Sequence, residues 1–251
     1  MKVYFIGAGP GDPELLTLKA KKVIEKADII IYAGSLTNKD ILKLAKKGAK
    51  IYDSARMTLD DIFKLLREAK STDKVIARIH SGDPSIYGAT QEQMDWCEDE
   101  KIDYEVIPGV SSFAAACASL KQELTLPGVS QTVILTRISG RTEVPKNEDL
   151  GELAKIGSTM VIFLSVQEID RVVESLKAGY GLATPVAVVE KASWPHEKKV
   201  IGCLHDIAAK VKDAGIKSQA LIIVGHILEK DYQRSRLYDK HFEHSFRKKR
   251  I

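Results

Sequence analysis

Four stretches in the first 112 residues combine residue types that let a chain hold a small ligand through its backbone. They are Gly7-Ala8-Gly9-Pro10-Gly11-Asp12-Pro13, Ala33-Gly34-Ser35-Leu36, Ser81-Gly82-Asp83-Pro84-Ser85-Ile86-Tyr87-Gly88 and Pro108-Gly109-Val110-Ser111-Ser112. Glycine allows close approach and leaves N–H groups open to ligand oxygens, while proline stiffens the loop around it. Asp83 has two readings: a carboxylate that balances a cation or accepts a hydrogen bond, or a cap for the helix that follows. Arg56, Arg78, Arg137 and Arg141 lie near motif segments, and their guanidinium forks suit a substrate with several carboxylates; ordinary surface charge is the alternative. His80 and His196 are candidates for proton transfer or plain structural histidines, and no residue stands out as a general base. Cys97, Cys117 and Cys203 are odd in number and far apart, with no C-x-x-C pair. They predict neither a disulfide framework nor a cysteine-based zinc site, only small buried or half-buried side chains.

These stretches fall at the ends of predicted strands. Apolar runs mark strands at 2–6, 28–32, 50–52, 74–79 and 104–107, and helical periodicity marks 14–26, 38–47, a segment opening at Thr58, 90–100 and 113–119. Alternation of this kind predicts a parallel sheet covered on both faces, with ligands bound beyond the carboxyl ends of the strands. After a linker at 120–128, strands recur at 132–136, 160–164, 185–189, 199–203 and 220–224. Helices are expected at 167–177 and 206–213, and the polar stretch 139–149 reads as a loop. The division this implies is an N-terminal α/β domain over 1–120, a C-terminal α/β domain over 121–235 and a basic tail over 236–251.

Bulk properties exclude several classes. Of 251 residues, 44% are hydrophobic and 29% charged in mixed sign, enough for a packed core. No run approaches the roughly 18 apolar residues of a membrane span, and the first residues read as a strand rather than a signal peptide. The expectation is a cytoplasmic protein without a membrane partner. The net charge of +4 is concentrated at Arg247, Lys248, Lys249 and Arg250, read as a solvated tail rather than a nucleic-acid contact. The glycine-rich start fails the dinucleotide fingerprint G-x-G-x-x-G. Its sixth position is Asp12, Pro13 follows, and the second strand ends at Tyr32-Ala33-Gly34 with no carboxylate for a ribose. A nucleotide-binding oxidoreductase is therefore the weaker alternative, and no Gly-Lys-Ser/Thr follows any of these turns.

Five motifs in order resemble the tetrapyrrole methylase family. The opening Val3–Pro13 segment is similar to the family's first motif, Arg78 through Gly88 to its G-D-P loop, and Pro108-Gly109-Val110-Ser111-Ser112 to its third element. Met160-Val161-Ile162-Phe163-Leu164 and Val189-Glu190-Lys191-Ala192-Ser193 resemble later elements. The resemblance implies two α/β domains with an S-adenosylmethionine (SAM) site in the cleft between them, and a homodimer. It implies cofactor contacts at Pro10, Ser81, Gly82, Asp83, Ile86, Ser111, Ser112, Leu164 and Ala192, with a tetrapyrrole whose carboxylates Arg56, Arg137 and Arg141 would hold. Tyr32-Ala33-Gly34-Ser35-Leu36, with Gln131 through Arg137, is similar to the branch that methylates precorrin-4 at C11, and the overall likeness leans to the cobalt form. A different acceptor carbon or precorrin is the alternative within the family.

Overall fold

The computed structural model describes residues 1–248, and they form two compact units. The first holds Met1–Ala116 and also takes in Lys191–Glu197; the second holds Cys117–Glu190 and the chain from Lys198 onward.

The first unit is built on five strands: β1 (Lys2–Gly7), β2 (Ile29–Tyr32), β3 (Lys50–Asp53), β4 (Val75–His80) and β5 (Asp103–Ile107). All pairings are parallel, in the order β3-β2-β4-β1-β5. Parallel strands need crossovers, which here are helices packed on both faces of the sheet. Alternation along β1 sends Val3 and Phe5 to one face and Ile6 to the other. The Val3 side packs against α2 (Leu59–Ala69) and α3 (Gln91–Asp99) through Ile62, Leu66 and Cys97. The Ile6 side packs against α1 (Leu18–Ile24) through Ala20 and Ile24.

Local signals account for several boundaries. Thr58 caps α2 and Asp61 returns the bond to the Thr58 N–H, a complete capping box. The helix expected over 38–47 is instead a 3-10 helix, Lys39–Leu44, capped by the Asn38 side chain. It buries Ile41, and one buried anchor suits a short, tight turn better than a full amphipathic helix.

The helix α4 (Ser112–Leu120), a run of small residues, begins in the first unit and ends in the second, the division falling after Ala116. The second unit contains β6 (Val133–Arg137), α5 (Leu150–Ala154), β7 (Thr159–Phe163), α6 (Ile169–Leu176), β8 (Pro185–Glu190), β9 (Lys198–Cys203), α7 (Ile207–Asp213) and β10 (Ala220–Val224). Its sheet runs β6-β7-β10-β8-β9; only β6 and β7 are parallel and the other pairs are antiparallel. The short helix α5 falls just after the stretch read as a loop, and it buries Leu150 and Ala154 against the core that includes Leu176 of α6. The three cysteines are free, Cys97 buried and Cys117 and Cys203 half-buried, and burial pushes the Cys97 and Cys117 thiols up to about 11, which favours the unreactive thiol form.

Candidate functional site

The order β3-β2-β4-β1-β5 places the loops after β1, β4 and β5 side by side at the carboxyl edge of the first sheet. They are held backbone to backbone. Gly9 N–H donates to the Gly82 carbonyl at 3.2 Å and Gly82 N–H to the Gly9 carbonyl at 2.8 Å, continuing the β1–β4 contact beyond the strands. A Cβ on Gly7 would lie 2.5 Å from Gly109 N, and one on Gly109 would lie 2.2 Å from the Gly82 carbonyl oxygen. Gly7 and Gly109 thus let three loops touch.

This corrects one expectation. The glycine turns do not leave all their N–H groups open to ligand oxygens: Gly9 and Gly82 satisfy each other, and Gly109 N–H donates to Asp83 Oδ2 at 2.8 Å. Paired backbone donors cannot also serve a ligand without loss elsewhere. The Asp83 carboxylate is the staple of the edge. Its Oδ1 accepts from the Ser85 N–H at 2.9 Å and from the Ser85 hydroxyl. Burial alone would raise its pKa, but the Ser85 and Gly109 hydrogen bonds outweigh it and hold the carboxyl below its ordinary value.

Around this staple, Ser111 is buried, Ser81, Ile86 and Ser112 are half-buried, and α4 begins at Ser112, opposite Gly82. Backbone strain gathers in the loop after β4, with Tyr87 at φ +53° and Ala89 at φ +46°. Non-glycine residues in the left-handed region cost on the order of 1–3 kcal/mol each and concentrate at ligand clamps. Leu164, directly after β7 in the second unit, is another such residue: φ is +53° and the side chain is 65% exposed. Ala192 is buried within the segment that belongs to the first unit.

Comparison with known proteins decides the family. The model of the Tetrapyrrole (Corrin/Porphyrin) Methylases matches residues 2–208. The chain belongs to the tetrapyrrole methylase family. A cobalt-precorrin-4 C(11)-methyltransferase of Methanocaldococcus jannaschii is 59% identical over 249 residues, spanning 98% of this methylase and 96% of the relative. The X-ray structure of a cobalt precorrin-4 methyltransferase, described as a cobalamin biosynthetic enzyme, superposes with a TM-score of 0.88 at 42% identity, covering 91% of this chain and 96% of that one. A uroporphyrin-III C-methyltransferase from Thermus thermophilus, complexed with S-adenosylhomocysteine (SAH), gives a TM-score of 0.76 at 29% identity, covering 93% and 96%.

The arginines of the methylase separate into distinct environments. Arg56 is exposed in the short turn after β3, at the carboxyl edge of the first sheet, and Arg141 is exposed in the loop after β6. Arg137, at the end of β6, donates to the carbonyls of Thr142 at 2.9 Å and Glu143 at 2.7 Å, so it organises its own loop. Arg78, also considered for carboxylate binding, is buried. Its Nε donates to Gln93 Oε1 at 2.9 Å and its Nη1 to Ser54 Oγ at 3.2 Å. Burial lowers its pKa to about 10. It braces the sheet interior, because a guanidinium this enclosed is satisfied by neutral acceptors of the fold.

Asp53 belongs to none of the sequence motifs. The second strand does lack a terminal carboxylate, but β3 supplies one beside it. Asp53 Oδ1 accepts from Gly34 N–H at 3.1 Å and from Ala55 N–H at 3.0 Å, while Oδ2 lies 3.3 Å from the Tyr32 hydroxyl. The Ala55 N–H is the main reason its carboxyl stays below the ordinary range, against burial and with help from Gly34 and Tyr32. Gly34 makes room for this carboxylate: its φ is not left-handed, yet a Cβ there would lie 2.2 Å from the Asp53 carboxylate.

Proposed function

We propose that this protein transfers the methyl group of SAM to C11 of cobalt-precorrin-4 in corrin-ring biosynthesis. The observation that carries the reading is 59% identity across 98% of the chain to a protein named for that reaction. The fold and the glycine-staple edge supply its physical basis.

When bound, SAM provides a methyl group already activated by its sulfonium, so the protein's task is alignment more than acid–base chemistry. The first turn of α4, at Ser112, offers the positive end of a nine-residue helix to the donor's carboxylate. Pro10, Ser81, Gly82, Ser111 and Ser112 border that place, with Asp83 fixing the loops in register. Ile86 and Ala192 are apolar contacts for the adenosine; Leu164, an exposed leucine in a strained conformation, suits a ligand contact better than a packing role. The exposed Arg56 and Arg141 are the arginines with guanidinium groups fit to meet the peripheral carboxylates of a tetrapyrrole. His80 is buried and held neutral, its pKa lowered to about 3, so it serves the fold rather than proton transfer.

The reading includes a homodimer, which light scattering of the purified protein checks, and a cytoplasmic location, which cell fractionation checks. No helix among the described residues is long and apolar enough to cross a membrane. The decisive experiment incubates the protein with methyl-labelled SAM and either cobalt-precorrin-4 or metal-free precorrin-4, and locates the label by mass spectrometry and carbon NMR. Label at C11 of the cobalt substrate supports the assignment. Preference for the metal-free form moves it to the other branch, and label on another carbon refutes it.

A further inference from the structure

The glycine loop after β1 is held in two different ways along its length. Its first half leans on β4, through Ala8 N–H to the His80 carbonyl and the Gly9–Gly82 pair. Its second half has no strand beside it. There three backbone groups meet side chains from elsewhere in the chain, while the Asp12 and Pro13 carbonyls accept from the nearby Leu15 and Leu16 N–H groups. Trp194 Nε1–H donates to the Pro10 carbonyl at 2.9 Å, Asn38 Nδ2 donates to the Gly11 carbonyl at 2.8 Å, and Asp12 N–H donates to Ser193 Oγ at 3.0 Å.

Two of those three partners come from Lys191–Glu197, the connection between β8 and β9 that packs with the first unit. The contact is steric as well as polar. A Cβ on Gly11 would lie 2.1 Å from Trp194 Cδ1 and 2.2 Å from its Nε1, so the indole occupies the room a side chain would need. Gly11 is not in the left-handed region, and its lack of a side chain answers to the indole rather than to backbone freedom. The connection is itself stiff. Lys191 and Ser193 stand at φ +50° and +71°, Ser193 N–H donates to Glu197 Oε2 at 2.8 Å, and Trp194 and Glu197 close successive turns at 3.0 Å each. Strain of this kind persists only where the surroundings enforce it.

We propose that Trp194 and Ser193 are positioning residues that clamp the glycine loop in the shape that receives the methyl donor. The proposal rests on the methyl-donor reading of that loop. Pro10 and Ala192, both named as donor contacts, then belong to one braced body, and binding affinity depends on the fraction of molecules in which the brace is closed. Removing one part-buried hydrogen bond lowers that fraction, and apparent affinity falls in proportion.

The test measures SAH affinity calorimetrically for the wild type, Trp194→Phe, Ser193→Ala, Gly11→Ala, Trp194→Ala and the double variant Gly11→Ala with Trp194→Ala. Trp194→Phe keeps an aromatic ring and loses the donor; its SAH dissociation constant is expected to rise about fivefold. The KM for SAM should rise by more than kcat falls. Gly11→Ala should weaken SAH strongly beside the indole and little once Trp194 is alanine, because the two then no longer compete for space. Trp194→Phe tests the clamp even where Gly11→Ala fails to fold. Unchanged SAH affinity in Trp194→Phe, or strictly additive effects in the Gly11–Trp194 cycle, overturns the clamp while the donor site stands. No SAH binding by the wild type overturns the donor reading and the clamp with it.

Discussion

Lowering the pH from about 7.5 to about 5 should destabilise the first unit through one residue, His80. It is the last residue of β4, on the sheet face it shares with Ile76 and Arg78, and its ring lies 6.2 Å from that of Phe5. It is 3% exposed, and its Nε2 finds no hydrogen-bond partner. Burial is the main reason its pKa falls from 6.5 to about 3; the Arg78 charge lowers it further, and a hydrogen bond with the Gly88 backbone opposes this. The folded protein therefore keeps the imidazole neutral, while the unfolded chain takes up a proton below about pH 6.5. Between those two pKa values the unfolded state binds more protons, so stability falls as pH falls, and the loss is complete only near pH 3. At about pH 5 the linkage relation gives a loss of about 2 kcal/mol relative to about pH 7.5. Trp96 and Trp194 both lie in the first unit, so tryptophan emission during urea unfolding reports on it. The comparison is with His80→Leu. That change leaves the Gly88 group without its partner at every pH, a pH-independent cost, so the difference in pH dependence isolates the titration. Equal losses in the two proteins over this interval would refute the account of a buried, neutral His80.

Other substitutions test the remaining contacts. Asp83→Ala removes the acceptor of the Gly109 and Ser85 N–H groups; SAH affinity measured by calorimetry should fall at least about tenfold, with stability lower by about 2–3 kcal/mol. Arg78→Met should destabilise the first unit by about 3 kcal/mol in urea unfolding, since Gln93, Ser54 and the Ile31 carbonyl lose their buried donor. Gly34→Ala drives a methyl group into the Asp53 carboxylate, and about 1–3 kcal/mol of destabilisation should accompany the overpacking; a neutral thermal melt would contradict the contact. Deleting residues 247–251 should leave methyl transfer intact in the labelled-SAM assay, because the reading assigns the basic end no part in the site.

The sequence by itself determined what short-range physics controls. Strand positions followed from apolar runs, the start of α2 from Thr58 and Asp61, and the sites of close backbone approach from the glycines that follow β1, β4 and β5. The family was legible because those motifs keep their order along the chain. Tertiary structure alone decided who uses each group. Gly9, Gly82 and Gly109 direct their N–H groups to other loops, an outcome set by strand order and invisible in residue type. Arg78 and Arg56 share a side-chain chemistry, yet β4 buries one and a surface turn exposes the other. Gly11 and Gly34 look like turn glycines in sequence, but each makes room for a side chain far along the chain, Trp194 and Asp53. A local pattern encodes backbone preference within a few residues, whereas steric exclusion and hydrogen-bond satisfaction act between whatever segments the fold brings together. That is why Lys191–Glu197, in the later half of the chain, ends as part of the first unit and against its glycine loop.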